Sequence, residues 1–137
     1  MAILNGTSTV LQVNSSGAGA DTTPPVLSTA ATSANGLTIT LTYNEALDTG
    51  STPATGDFVT SPVKTISNVN VTGSTVVLTV SVAFGSGDTI TLNYTAGVNP
   101  IQDTAGNDAA NLSGQSVTNN VSGSYGVTAT AIIAKLP

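Results

Sequence analysis

The sequence contains no cysteine, no histidine, no arginine and no tryptophan. Without cysteine there is no disulfide, so the fold must stand on packing, assembly or a bound ion. Without histidine, cysteine or arginine, the usual nucleophile–base triads, thiol chemistry and phosphate clamps have no residues to build them. A carboxylate pair of the glycosidase kind remains, with Glu45 and Asp48 three residues apart in NEALD. Yet aromatics make up only 4% of the chain, leaving no stacking platform for a sugar. The same shortage argues against a carbohydrate-binding module, so the expectation is a protein that is not an enzyme. Positive charge is nearly missing, because seven acids stand against Lys64 and Lys135 for a net charge of −5. Neither nucleic-acid phosphates nor an anionic membrane surface would be attracted. Long apolar runs are also lacking. ATAIIA near the end falls far short of the roughly 20 residues of a membrane helix, and MAILNGTSTV has no cationic and apolar pattern of a secretory signal.

Charged residues are only 7% of the chain, against a usual level of about 25%, while 39% are hydrophobic. The polar remainder is Thr, Ser, Asn and Gly, a composition that suits strands rather than disorder. At 137 residues there is room for one domain with a real core.

Three parts follow one another. Residues 1–20 read as an N-terminal arm: Asn5-Gly6 makes a turn, TSTVLQVN a short strand with Thr9, Leu11 and Val13 on one side, and SSGAGA a flexible linker. Residues 21–121 open on DTTPPV, whose proline pair fixes an extended approach outside any central strand. Strict two-residue alternation follows in LTITLTY, STVVLTVSV and DTITLNY, with Leu37, Ile39, Leu41 and Tyr43, then Val76, Leu78, Val80 and Val82, then Ile90, Leu92 and Tyr94 facing inward. Asn35-Gly36, Thr72-Gly73-Ser74 and Gly85-Ser86-Gly87 punctuate these runs as turns. PATGDF reads as one helical turn. The spacing predicts an all-β, Ig-like antiparallel sandwich with extended N- and C-terminal arms. Residues 122–137 form the C-terminal strand or tail, with Val127, Ala129, Ala131 and Ile133 alternating. Such an apolar strand must pair with its own domain or with a neighbour.

The acids concentrate at expected strand ends. Asp21, Glu45, Asp103 and Asp108 are the candidate metal ligands, and calcium is the ion that such loop carboxylates and amides suit. No EF-hand or nonapeptide pattern is present. The competing reading gives Asp103 and Asn107 a purely local task, accepting hydrogen bonds from their own turn. A Lys–Asn isopeptide bond, with Lys64 or Lys135 beside Glu45, is a further option.

DTTPPVLSTAATSANGLTITLTYNEALDTGSTPATGDF and GDTITLNYTAGVNPIQDTAGNDAANLSGQSVTN together resemble the bacterial Ig-like repeat of cyanobacterial swimming-motility surface proteins, the SwmB type. The resemblance implies a module of large surface or adhesin-like proteins, and similar modules hold calcium between successive repeats on such acids. MAILNGTSTVLQVN is similar to the start of several tailed-phage virion proteins. The two resemblances together imply a phage virion structural protein, a capsid cement or decoration protein on the capsid surface, assembled in the host cytoplasm. Its expected partner is the major capsid protein or another virion protein, and the expected assembly is a homo-oligomer, a trimer by point-group symmetry. The assembly contacts expected are Ile3, Leu4, Leu11 and Val13 in the first arm and Val127, Ile132, Ile133 and Leu136 in the second. A tail tube or fibre component and a calcium-stiffened cell-surface module are the alternatives.

Overall fold

The computed structural model describes residues 19–123. Seven strands form in chain order: β1 (Leu27–Thr32), β2 (Thr38–Tyr43), β3 (Phe58–Ser61), β4 (Ile66–Thr72), β5 (Thr75–Val80), β6 (Ile90–Tyr94) and β7 (Leu112–Val117). One sheet runs β1-β2-β5-β4 and the other β3-β6-β7. Every pairing within the two sheets is antiparallel. With strands lettered A to G this is ABED over CFG, the constant-type immunoglobulin arrangement.

Alternation explains the core. Ile39, Leu41 and Tyr43 of β2, Val76, Leu78 and Val80 of β5, and Ile90, Leu92 and Tyr94 of β6 all point inward and are buried, while the threonines between them face outward. Phe58 lies against Tyr94 with ring centroids 5.0 Å apart. The inward pattern stops short at two of the expected positions. Leu37 is 40% exposed and Val82 is 61% exposed, because β2 begins at Thr38 and β5 ends at Val80. Leu37 belongs to the Asn35-Gly36 turn, where the Asn35 Oδ1 accepts its N–H at 3.0 Å. The PATGDF turn is a single 3-10 turn at Thr55–Asp57, and Asp57 caps it by accepting the Ala54 N–H.

Antiparallel pairing sends the loops to two poles. The upper pole gathers the incoming chain at 19–26, the β2–β3 connection and the long β6–β7 loop; the lower gathers the β1–β2 turn, the β3–β4 and β5–β6 loops and residues 118–123. Six of the seven acids (Asp21, Glu45, Asp48, Asp57, Asp103 and Asp108) lie at the upper pole and only Asp88 at the lower. Lys64, the one cation among the described residues, is at the lower pole with its Nζ 5.7 Å from the centre of the Phe84 ring. A Lys–Asn isopeptide bond formed by Lys64 beside the Glu45 carboxylate is therefore ruled out by topology; Lys135 lies outside the described residues.

The edge strands β1 and β7 close the sandwich on one side. The Thr32 N–H donates to the Thr118 carbonyl and the Thr118 N–H to the Ala30 carbonyl, a short parallel bridge across the sheets at the lower end.

Candidate metal centre at the upper pole

The stretch from Ile101 to Ala109 folds back on itself. The Ile101 carbonyl accepts the Ala109 N–H and the Asn107 carbonyl accepts the Asp103 N–H, with Gly106 at φ 91° making the reversal. Inside this turn the Asp103 carboxylate is drawn inward. Its Oδ1 accepts the N–H groups of Ala105 and Asn107, both at 2.8 Å, and its Oδ2 accepts the Asn107 side-chain amide at 2.7 Å. Asp103 is only 2% exposed as a result. Hydrogen bonding, from the Asn107 side chain above all, holds its carboxyl below the usual aspartate range. The local turn reading of Asp103 and Asn107 is thus correct in geometry.

The same carboxylate also has neighbours far away in sequence. The Asn107 amide donates to the Asp21 carbonyl at 2.9 Å, which ties the incoming chain to the loop. A bridge between Leu47 and Asp103, with Leu47 buried, fixes the segment that carries Glu45. Asp21, Glu45 and Asp103 consequently each bring one carboxylate oxygen within 4.8 Å of the others. Desolvation, with the charges of Asp21 and Asp103 next, raises the Glu45 carboxyl above its ordinary value. Three hard oxygens at this spacing fit calcium, whose ligand distances of about 2.3–2.6 Å place opposite oxygens up to about 5 Å apart. A cation would cancel the repulsion that raises Glu45.

The fourth expected ligand is elsewhere. Asp108 pairs across the turn with Gln102 and is exposed, outside the group formed by Asp21, Glu45 and Asp103. Asp48 is occupied too, its Oδ1 accepting the Gly50 N–H at 2.8 Å and its Oδ2 the Gln102 amide at 2.9 Å. These bonds, the Gln102 amide first, lower its carboxyl below the usual range. The eight expected assembly contacts, Ile3, Leu4, Leu11, Val13, Val127, Ile132, Ile133 and Leu136, all lie outside the described residues.

Two residues of this site escaped the sequence reading. Tyr94 was legible only as core, yet its hydroxyl accepts the buried Ile101 N–H at 2.8 Å and anchors the loop that carries Asp103. Gln102 links the Glu45–Asp48 segment to that loop on both faces, since its carbonyl also accepts the Asp48 N–H at 2.9 Å. A Tyr at the last position of an inward-alternating strand was the available signal for the first; the second had none.

The loop anchor makes a simple expectation. Tyr94→Phe keeps the ring and orphans a buried N–H, so it should cost about 1–3 kcal/mol of stability. Chemical denaturation with unchanged slope would record it; a loss near zero would mean that water replaces the hydroxyl.

The pH response separates the two carboxylates. Asp103 has its folded-state value depressed, so its contribution is complete above the unfolded aspartate range and is lost as pH falls through the depressed value. Glu45 has its value raised, so its charge opposes folding at neutral pH and that opposition vanishes as pH falls through the raised value. In chelator at neutral pH, Asp103→Asn should lower the melting temperature and Glu45→Gln should raise it. Both differences should shrink on acidification. Melting curves between neutral and acid pH decide this, and a drop in both variants would remove the repulsion at Glu45.

Residues 20–99, more than half of the chain, match the family described as "putative flagellar system-associated repeat". The match takes in β1 to β6 and stops at Asn99, before the turn that carries Asp103. No curated protein and no solved structure matches the chain.

Proposed function

Since the chain belongs to the family of flagellar system-associated repeats, we propose that it is a passive structural module of a larger surface assembly, joined to it through its ends and stiffened where the chain comes in. The single observation that carries this reading is the convergence of Asp21, on the incoming chain, with Glu45 and Asp103 on the body of the domain. Calcium held by these three carboxylates would lock the approach segment to the sandwich, fixing the angle at which a preceding element meets it. Water or that element would complete its coordination.

The assembly we propose is a phage virion, with the module as a cement or decoration protein on the capsid and the major capsid protein as partner. Its support is the likeness of MAILNGTSTVLQVN to virion proteins and the two apolar arms. In this reading the sandwich supplies shape, and Ile3, Leu4, Leu11 and Val13 with Val127, Ile132, Ile133 and Leu136 supply contact by strand addition and apolar burial. Catalysis has no part in it. A second reading, a calcium-stiffened module of a cell-surface array, is favoured by the same acid triad and by the family.

Electron microscopy of purified particles with the chain labelled should place it on the capsid surface in symmetric copies. Label on the tail would move the proposal to a tube or fibre component. Its absence from particles, with the protein found on cell surfaces instead, would replace the virion reading by the second.

A further inference from the structure

Strands β1 and β7 are bridged at their lower ends but splay at their upper ends. Between them opens a cleft of about 410 Å³ walled by Pro24, Pro25, Leu27, Tyr43, Ala110 and Leu112. The walls are mostly apolar, with Thr23 and Gln115 as polar members, and both flanking strands are sheet edges. Since Thr118 gives both its N–H and its carbonyl to the β1 side, the alternation of a strand turns the backbone of Ser116 to that side as well. An exposed edge beside an apolar trough is the arrangement that accepts an added strand.

We propose that this cleft seats residues 7–14 of the same chain, TSTVLQVN, as an eighth strand antiparallel to β7. This goes beyond the functional reading above, because it reassigns Leu11 and Val13 to the domain itself and leaves Ile3 and Leu4 for partners. Where the chain lies decides the occupant. Thr23, on the incoming chain, is part of the cleft wall, so residue 14 is nine residues from it and within a reach of about 30 Å. The C-terminal segment starts from the opposite pole, where the Ser122 N–H donates to the Ala34 carbonyl. It would have to run back over the β1–β7 bridge, about a strand length of 20 Å away. The pattern also fits, since Thr9, Leu11 and Val13 form one side of the segment and the trough is apolar. Pro24 and Pro25 have no N–H to offer, so the ladder forms on the β7 edge.

The absence of native cysteine makes a direct test clean. In the full-length chain, Leu11→Cys combined with Leu112→Cys should cross-link under mild oxidation within one molecule, at a yield independent of protein concentration. In parallel, amide exchange at Ser116 should accelerate about tenfold in a Leu11→Asp, Val13→Asp variant while β2 and β5 amides, and the Gly114 amide held by Asn93, keep their rates. Cross-linking only between molecules would overturn the proposal in favour of strand exchange between copies. Unchanged exchange at Ser116, or cross-linking no greater than for a Leu11→Cys, Val98→Cys control, would overturn it outright. Neither readout depends on calcium or on particle attachment, so its failure leaves the functional reading intact.

Discussion

Saturating calcium should raise the melting temperature of the wild-type protein by about 10 °C or more over chelator. A ligand that binds only the folded state at 100 times its Kd adds about 2.7 kcal/mol, and a domain of roughly 100 residues gains about 4–8 °C per kcal/mol. The ion should act through Glu45 in particular. Asp103 is already satisfied by Ala105 and Asn107, and Asp21 holds its own turn by accepting the Thr23 N–H at 2.9 Å. Glu45 is the member whose charge is opposed by burial and by both neighbours. Glu45→Gln should therefore do two opposite things: raise the chelated baseline and abolish the calcium increment. Asp108→Asn, outside the triad, should change neither. Differential scanning calorimetry at neutral pH with calcium, magnesium and chelator makes the comparison, and magnesium should do less because it demands a tighter octahedral cage. Equal melting temperatures in all three would end the case for a cation at this pole, and with it the stiffened joint.

How far the sequence carried this fold depends on where the ladders are regular. Strands β2, β5 and β6 were legible because their inward positions hold large aliphatics or tyrosine at unbroken two-residue spacing. Strand β4 hid itself: a bulge between Ile66 and Asn68 puts Ile66, Val69 and Val71 inside, a spacing of three and then two. Strand β1 has the same fault between Leu27 and Thr29 and buries Ala30 and Thr32 where larger aliphatics would have signalled. Strand β7, LSGQSV, looks like a loop because it carries Gly114 at φ 59°, whose N–H is taken by the Asn93 side chain instead of the ladder. NPIQDTAGNDAANLSGQ, residues 99–115, reads in sequence as one glycine-punctuated turn, yet it is non-strand loop only as far as Asn111 and its last four residues belong to β7.

The site was legible in part for a related reason. Carboxylates at strand ends are visible in any alternating sequence, and Asp21, Glu45 and Asp103 were all among them. What one chain cannot announce is which loops share a pole and which oxygens turn inward. Asp103 and Asp108 look equivalent in DTAGND, yet the reversal at Gly106 encloses one and pairs the other with Gln102 on the outside. The long-range links, Asn107 to the Asp21 carbonyl and Leu47 to Asp103, rest on separations that no local pattern encodes.

Two glycines of the hairpin punctuation offer a sharper test of the fold, because they share a conformation but not a neighbourhood. Gly36 sits at φ 71° and Gly73 at φ 55°, the left-handed region that costs an ordinary residue about 1–2 kcal/mol. A Cβ at Gly73 would meet nothing within 4 Å. A Cβ at Gly36 would lie 2.6 Å from the Phe84 carbonyl oxygen and 3.0 Å from both the Phe84 nitrogen and a Val121 methyl. The backbone there has little room to yield, since the Gly36 carbonyl accepts the Phe84 N–H at 3.0 Å and the Phe84 ring is buried. Gly73→Ala should therefore lose about 1–2 kcal/mol, and Gly36→Ala more than about 3 kcal/mol, since backbone strain and steric overlap then add. On the scale of a domain this size, that is a melting temperature lower by more than about 12 °C against about 4–16 °C, with the ordering fixed in urea as well as in heat. The damage at Gly36 should stay at the lower pole: calcium should still raise the melting temperature of the variant by the wild-type increment, because Asp21, Glu45 and Asp103 lie at the other end of the strands. Equal losses for the two alanines would show that Phe84 and Val121 do not press on the turn. A lost calcium increment would show that the two poles are coupled through β2, the strand that runs from one turn to the other.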